Sequence, residues 1–170
     1  MPSKEHEELC ALGARWCKRN GFSIVATNIQ SNGSQEKPDV IAFRSDCSLL
    51  IEAKVSRGDF FADKNKTSRN ASEGLGLYRF YIAPHGMISP DELPVGWGLL
   101  EKEGRSIKVK VGPMISPKDN LWPSEGISNL QSSSHARRWM SFQHPIDYKK
   151  ERAMLFAISR KLSNGDSILR

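Results

Sequence analysis

The sequence predicts a single domain of the mixed α/β class. Three observations carry that prediction. An amphipathic helical pattern opens the chain, and two short apolar runs around a polar turn give a hairpin signature. A strongly β-prone run then follows a helical stretch of roughly ten residues, long enough for a crossover into a parallel strand. With 170 residues, the chain can bury a core of useful size.

Residues 3–20 read as the first helix. Leu9, Leu12 and Trp16 recur at helical spacing, and Asn20-Gly21 supplies a stop. Glu5 lies close to that apolar stripe and Glu8 at its edge. Taken singly, each reads as a solvated acid that complements the helix dipole. Residues 22–29 predict a strand, and residues 30–37 a turn. The hairpin over residues 38–55 comes next. Ser56 can cap a second helix, with Asp59 three residues on completing a capping box. The basic residues of that region, Arg57, Lys64, Lys66 and Arg69, form either a solvated helix face or a phosphate-contacting edge.

Residues 77–83 form a β-prone run ending at Pro84. His85 sits just beyond its end, where a lone loop histidine is more often structural than catalytic. Residues 90–94 predict a short helical turn, and residues 97–101 and 106–111 a second hairpin whose outer side carries Lys108 and Lys110. From residue 112 to 135 the composition turns to proline and serine, the mark of a long loop. Arg137-Arg138-Trp139 is a basic-aromatic cluster. It suits phosphate contact with base stacking, although a core-packed tryptophan with exposed arginines is the simpler reading. Residues 145–162 predict a basic amphipathic helix with Met154, Leu155, Ile158 and Leu162 inward. Residues 1–112 thus form the core. Residues 113–170 add a loop and a helix packed on the same domain.

The first hairpin holds the chemistry. Asp39, Glu52 and Lys54 sit inside otherwise apolar strands, and buried charge is costly unless paired or metal-bound. Alternation puts Leu50, Glu52 and Lys54 on one face and Leu49, Ile51, Ala53 and Val55 on the other. A turn centred near Ser45-Asp46 sets Asp39 opposite Glu52. Directly paired Cβ atoms lie ~4.5–5.5 Å apart. Two carboxylates that close repel unless a cation or proton lies between them. Such oxygen donors suit Mg²⁺ or Mn²⁺. Lys54 beside them can contact a phosphate or orient an attacking water.

Composition narrows the partners. Net charge is +6, with an isoelectric point near 9.3, which favours a polyanion. No apolar run approaches the ~18 residues of a membrane span, and the first residues lack a signal-peptide core. The three cysteines are scattered without zinc-ligand spacing, which fits a reducing cytoplasm.

The order helix–strand–hairpin–helix–strand, with Pro38-Asp39 and Glu52-Ala53-Lys54 in the hairpin, resembles the PD-(D/E)xK nuclease superfamily. The likeness covers about the first half of the chain. A narrower likeness runs through Glu52-Ala53-Lys54-Val55-Ser56, Asp59-Phe60, Ala62-Asp63-Lys64 and residues 78–84, and extends to Gly98-Leu99-Leu100. It is similar to the MmcB-type branch of bacterial DNA-repair-associated proteins. The C-terminal third has no counterpart there, as in a phage or mobile-element relative with a specialised tail.

The resemblance implies a restriction-endonuclease-like αβββαβ core with a C-terminal helical extension, and a Mg²⁺- or Mn²⁺-dependent DNA endonuclease. Asp39 and Glu52 would ligate the metal with the backbone carbonyl of Ala53, and Lys54 would serve the attacking water and the scissile phosphate. Glu5 or Glu8 would match the acidic first-helix residue of some members. Cutting both strands of a duplex commonly uses two sites, so a homodimer is a further expectation. The rival expectation is a nuclease fold that binds DNA or a protein partner without catalysis.

Overall fold

The computed structural model describes residues 2–32, 36–69, 74–113 and 140–164, with the backbone alone over 65–69. Its first helix, α1 (Lys4–Arg19), starts where Ser3 caps it, the serine side chain accepting from the His6 amide. It stops at Asn20, whose side chain donates to the Trp16 carbonyl at 2.8 Å, and Gly21 follows at φ 85°. Next come β1 (Ile24–Thr27), β2 (Val40–Phe43) and β3 (Ser48–Ala53), an antiparallel meander. The helix α2 (Arg57–Arg69) crosses over to β4 (Tyr78–Pro84), which lies parallel to β3. A 3₁₀ turn (Pro90–Glu92) leads to β5 (Trp97–Glu103), parallel to β4, and β6 (Ser106–Val111) pairs back antiparallel. A last helix, α3 (Tyr148–Ser163), closes the described chain. The protein is therefore a mixed α/β fold on a six-stranded mixed sheet, its strands arranged in sequence order.

The two faces of the sheet bury different sets of side chains. Leu49, Ile51, Ala53, Phe80 and Ile82 pack with Leu9, Leu12 and Cys17 of α1. Ile41, Leu50, Tyr81 and Leu99, from the alternate positions, pack with Phe60 of α2 and Met154, Ala157 and Ile158 of α3. The strands buried on both sides, such as β2 and β4, read as continuous apolar runs for that reason. Close approach of β4 and β5 depends on Gly98, where a Cβ would lie 2.3 Å from the Phe80 ring.

Expected and observed elements differ at their margins. The first strand covers four residues rather than eight, and Phe22 enters the core before it begins. In α3 the buried stripe is Met154, Ala157 and Ile158. Leu155 is only half-buried, and Leu162 is 57 % exposed. The helix docks partly through polar contacts that periodicity does not reveal. Ser48 Oγ donates to Glu151, and the Gly76 amide donates to the same carboxylate at 3.1 Å. Burial pushes the Glu151 carboxyl up from its ordinary range. Arg79, also buried, donates to the Gly76 and Pro145 carbonyls.

Candidate functional site

The hairpin register positions the site. Val40 pairs with Ile51, and Phe43 with Ser48. Extending the register one step outward sets Asp39 level with Glu52. The loop between the strands is closed by the Arg44 amide donating to the Cys47 carbonyl at 2.8 Å. Asp39 is fixed by its neighbour strand, its Oδ2 accepting from the Ala53 amide at 2.8 Å. Glu52 and Lys54 project from the opposite face to Ala53, the face covered by α2.

Lys54 is 5 % exposed, and its ammonium lies 3.6 Å from Glu52 Oε2 and 3.6 Å from Asp63 Oδ2. Burial alone would pull its pKa down. Glu52, Asp63, Asp59 and Asp39 together outweigh that and hold it above the ordinary lysine value. The Glu52 carboxyl moves the other way from a normal acid. Burial and the neighbouring Asp39 push it well up, and Lys54 offsets only part of the effect.

Asp63 belongs to the Ala62-Asp63-Lys64 stretch of the narrower resemblance. Here α2 delivers it to Lys54, and Tyr81 from β4 donates its hydroxyl to Asp63 Oδ2 at 3.1 Å. The Lys54 ammonium also lies 5.9 Å from the centre of the fully buried Tyr81 ring. Asp63 and Tyr81 thus position the lysine from two elements. Tyr81→Phe is expected to lower the unfolding free energy by about 1 kcal/mol, the typical worth of one hydrogen bond. A urea midpoint equal to that of the wild type would show that the hydroxyl does not hold Asp63.

The first helix contributes a residue that sequence reasoning passed over. His6 Nε2 lies 3.3 Å from Asp39 Oδ1, and His6 Nδ1 lies 3.6 Å from Cys10 Sγ. The available signal was the spacing of His6 and Cys10, four apart and so on one helix face. Of the two glutamates weighed there, Glu8 pairs with Lys102 of β5 at 2.9 Å, and Glu5 is exposed.

The basic residues fall into two groups. Arg57 makes a fork with Glu92, at 2.5 Å and 3.0 Å, and donates to the Met87 carbonyl. That fork and the Ser89 amide lower the Glu92 carboxyl to about 2. Lys64 donates to the Glu92 carbonyl. Both basic side chains therefore bind the 3₁₀ turn to α2. The side chains of Lys66 and Arg69, together with Arg137 and Arg138, lie outside the described residues.

His85 is tied to Glu101 at 3.0 Å and Glu103 at 3.3 Å, clamping the ends of β4 and β5. A groove of about 620 Å³ runs beside α1 and shares Cys10 with the His6 pair. Lys4, Lys37 and Lys161 line it alongside Glu7 and Glu8. Cys10, Cys17 and Cys47 are free thiols, all buried. Among the described residues, no helix is long and apolar enough to cross a membrane.

No known family's sequence profile matches this chain, and no curated protein does. A solved structure shares its fold, a protein of unknown function from Silicibacter pomeroyi. The TM-score is 0.59 at 15 % identity, and the match covers 100 % of both chains.

Proposed function

We propose that this protein is a metal-dependent nuclease that hydrolyses phosphodiester bonds in DNA, an endonuclease of repair, phage or defence-related processing. The observation that carries the reading is the convergence of Asp39, Glu52 and Lys54 at one end of the sheet, with the Glu52 carboxyl driven upward by burial and by Asp39. The element order from α1 to β4, with β3 and β4 parallel, adds support, since it is the αβββαβ order that the resemblance implies. The positive net charge suits a polyanionic substrate.

The donor set fits a divalent cation. Asp39 and Glu52, with the Ala53 carbonyl, would hold Mg²⁺ or Mn²⁺ through hard oxygen atoms. The like charges that raise Glu52 are the charges such an ion neutralises. A bound ion supplies Lewis-acid stabilisation of the phosphoryl oxygens and lowers the pKa of its water.

The chain's own groups do the rest. The Ala53 amide orients Asp39. Lys54, kept cationic by its carboxylate neighbours, acts as a fixed positive charge. It orients the water by hydrogen bonding and offsets charge that develops on the phosphate. Asp63 and Tyr81 limit where that charge can move.

The test is cleavage of plasmid and branched DNA with Mg²⁺ or Mn²⁺. Asp39→Ala, Glu52→Ala and Lys54→Ala are each expected to lose cleavage. Three variants that cut as well as the wild type would place the active site elsewhere. Binding that survives both chelation and these substitutions, with no nucleic acid cut, would instead identify a non-catalytic binding module.

A further inference from the structure

We infer that His6 is a ligand of this metal centre, making it a mixed nitrogen–oxygen site that takes Mn²⁺ in preference to Mg²⁺. The inference deepens the reading above and rests on its metal centre. Its first ground is distance. Two ligand atoms ~2.1 Å from a shared cation and ~90–110° apart lie about 3.0–3.4 Å from each other. His6 Nε2 and Asp39 Oδ1 are 3.3 Å apart.

The second ground is orientation. Metal-binding imidazoles are usually held by a partner on the other ring nitrogen. For His6 that partner is Cys10, whose Sγ lies 3.6 Å from Nδ1 on the same helix face. The tautomer that carries its hydrogen on Nδ1, directed at the sulfur, leaves the Nε2 lone pair for an ion shared with Asp39. Cys10 is 2 % exposed and stands one helical turn from His6, where its sulfur meets the ring at Nδ1 and fixes the ring's orientation.

The third ground is the assembly of donors. His6, Cys10 and Asp39 place their ligand-type atoms within 4.8 Å of one another. Asp39 in turn stands level with Glu52 across the hairpin, one step beyond the Val40–Ile51 pair. One imidazole nitrogen joined to two carboxylates favours a first-row transition ion over Mg²⁺, which prefers oxygen and keeps its waters. The His85–Glu101–Glu103 group differs in kind. Its buried carboxylate already accepts from the Gly86 amide and contacts His85.

The experiment is pulsed electron paramagnetic resonance on the full chain loaded with one equivalent of Mn²⁺. Nitrogen modulation is expected in the wild type, changing to the ¹⁵N pattern when histidine is ¹⁵N-labelled. His6→Gln should remove it, whereas His85→Ala should keep it. Calorimetry should show His6→Gln weakening Mn²⁺ binding on the order of 10-fold or more, the scale lost from metal-shell changes, with Mg²⁺ binding nearly unchanged. Mn²⁺ bound without histidine modulation, modulation that persists in His6→Gln, or no Mn²⁺ binding at all overturns the assignment. Melting curves of the metal-free variants confirm that folding is intact.

Cleavage assays separate this outcome from the nuclease reading. Histidine modulation without cleavage of any DNA leaves His6 a ligand and removes the nuclease. Cleavage without histidine modulation does the reverse.

Discussion

Glu52→Gln is expected to raise the melting temperature of the metal-free protein and to abolish metal-dependent cleavage. The two effects share one cause. The Glu52 carboxyl is pushed well above its ordinary value of 4.5 by burial and by Asp39. A carboxyl raised in the folded state favours folding in its protonated form. The cost of ionising it is absent below the unfolded pKa, grows as pH rises toward the folded one, and is complete above it. The wild type should therefore lose stability as pH rises from about 4.5 through that window, and the glutamine variant should lose less. At pH 7 with chelator, each kcal/mol relieved corresponds to about 2–4 °C for a domain of this size. Under the proposed function, cleavage falls because a carboxylate that holds the metal would contribute several kcal/mol, or roughly 10³-fold in rate. Scanning calorimetry in chelator and a plasmid assay read the two halves. A lower melting temperature at pH 7 would mean that Glu52 is a net stabilising partner of Lys54.

Lys54→Met should be damaging in both respects. The ammonium is the cation between Glu52 and Asp63, at 3.6 Å from each. Removing one partner of a buried pair costs about 3–5 kcal/mol, because a charge is left uncompensated. The lower end applies here, since Glu52 and Asp63 side chains keep 20 % and 23 % of their exposure. Losing the fixed positive charge should reduce cleavage by about 10²–10³. The triple change Lys54→Met, Glu52→Gln, Asp63→Asn removes the stranded carboxylates as well. It should recover most of the melting temperature without recovering cleavage. If the triple variant is as unstable as Lys54→Met, the lysine's contribution is packing rather than charge balance.

The preorganisation of Lys54 separates it from an ordinary surface lysine. Its position is set by a strand, its charge by four acids, and its freedom by a helix residue and a tyrosine. A lysine held above its usual pKa is a poor proton acceptor. In the phosphodiester hydrolysis proposed above, its value would lie in a charge that needs no reorganisation when the transition state forms.

Much of this molecule is determined by local sequence. Alternation in the hairpin set Asp39 level with Glu52, because a symmetric turn over residues 44–47 leaves one register that buries both apolar sets. Ser3, Asn20 and Ser56 marked helix ends through side chains that bond to nearby backbone. The mixed α/β class followed from the change between periods of 2 and 3.6 residues.

Contacts between elements distant in sequence were decided by the tertiary structure alone. Periodicity says which face of α1 is apolar, but only the packing angle decides that His6 reaches Asp39 while Glu8 turns to Lys102. Asp63 and Tyr81 are 18 residues apart and meet only because the α2 crossover sets β4 beside β3. The inward set of α3 was settled by the polar anchor of Glu151 to Ser48 and Gly76, which carries no periodic signal. The sequence alone therefore determined the carboxylates and the lysine at the hairpin end, because strand geometry is local. Tertiary packing decided which groups surround them and shift their charges, because those neighbours arrive from other elements.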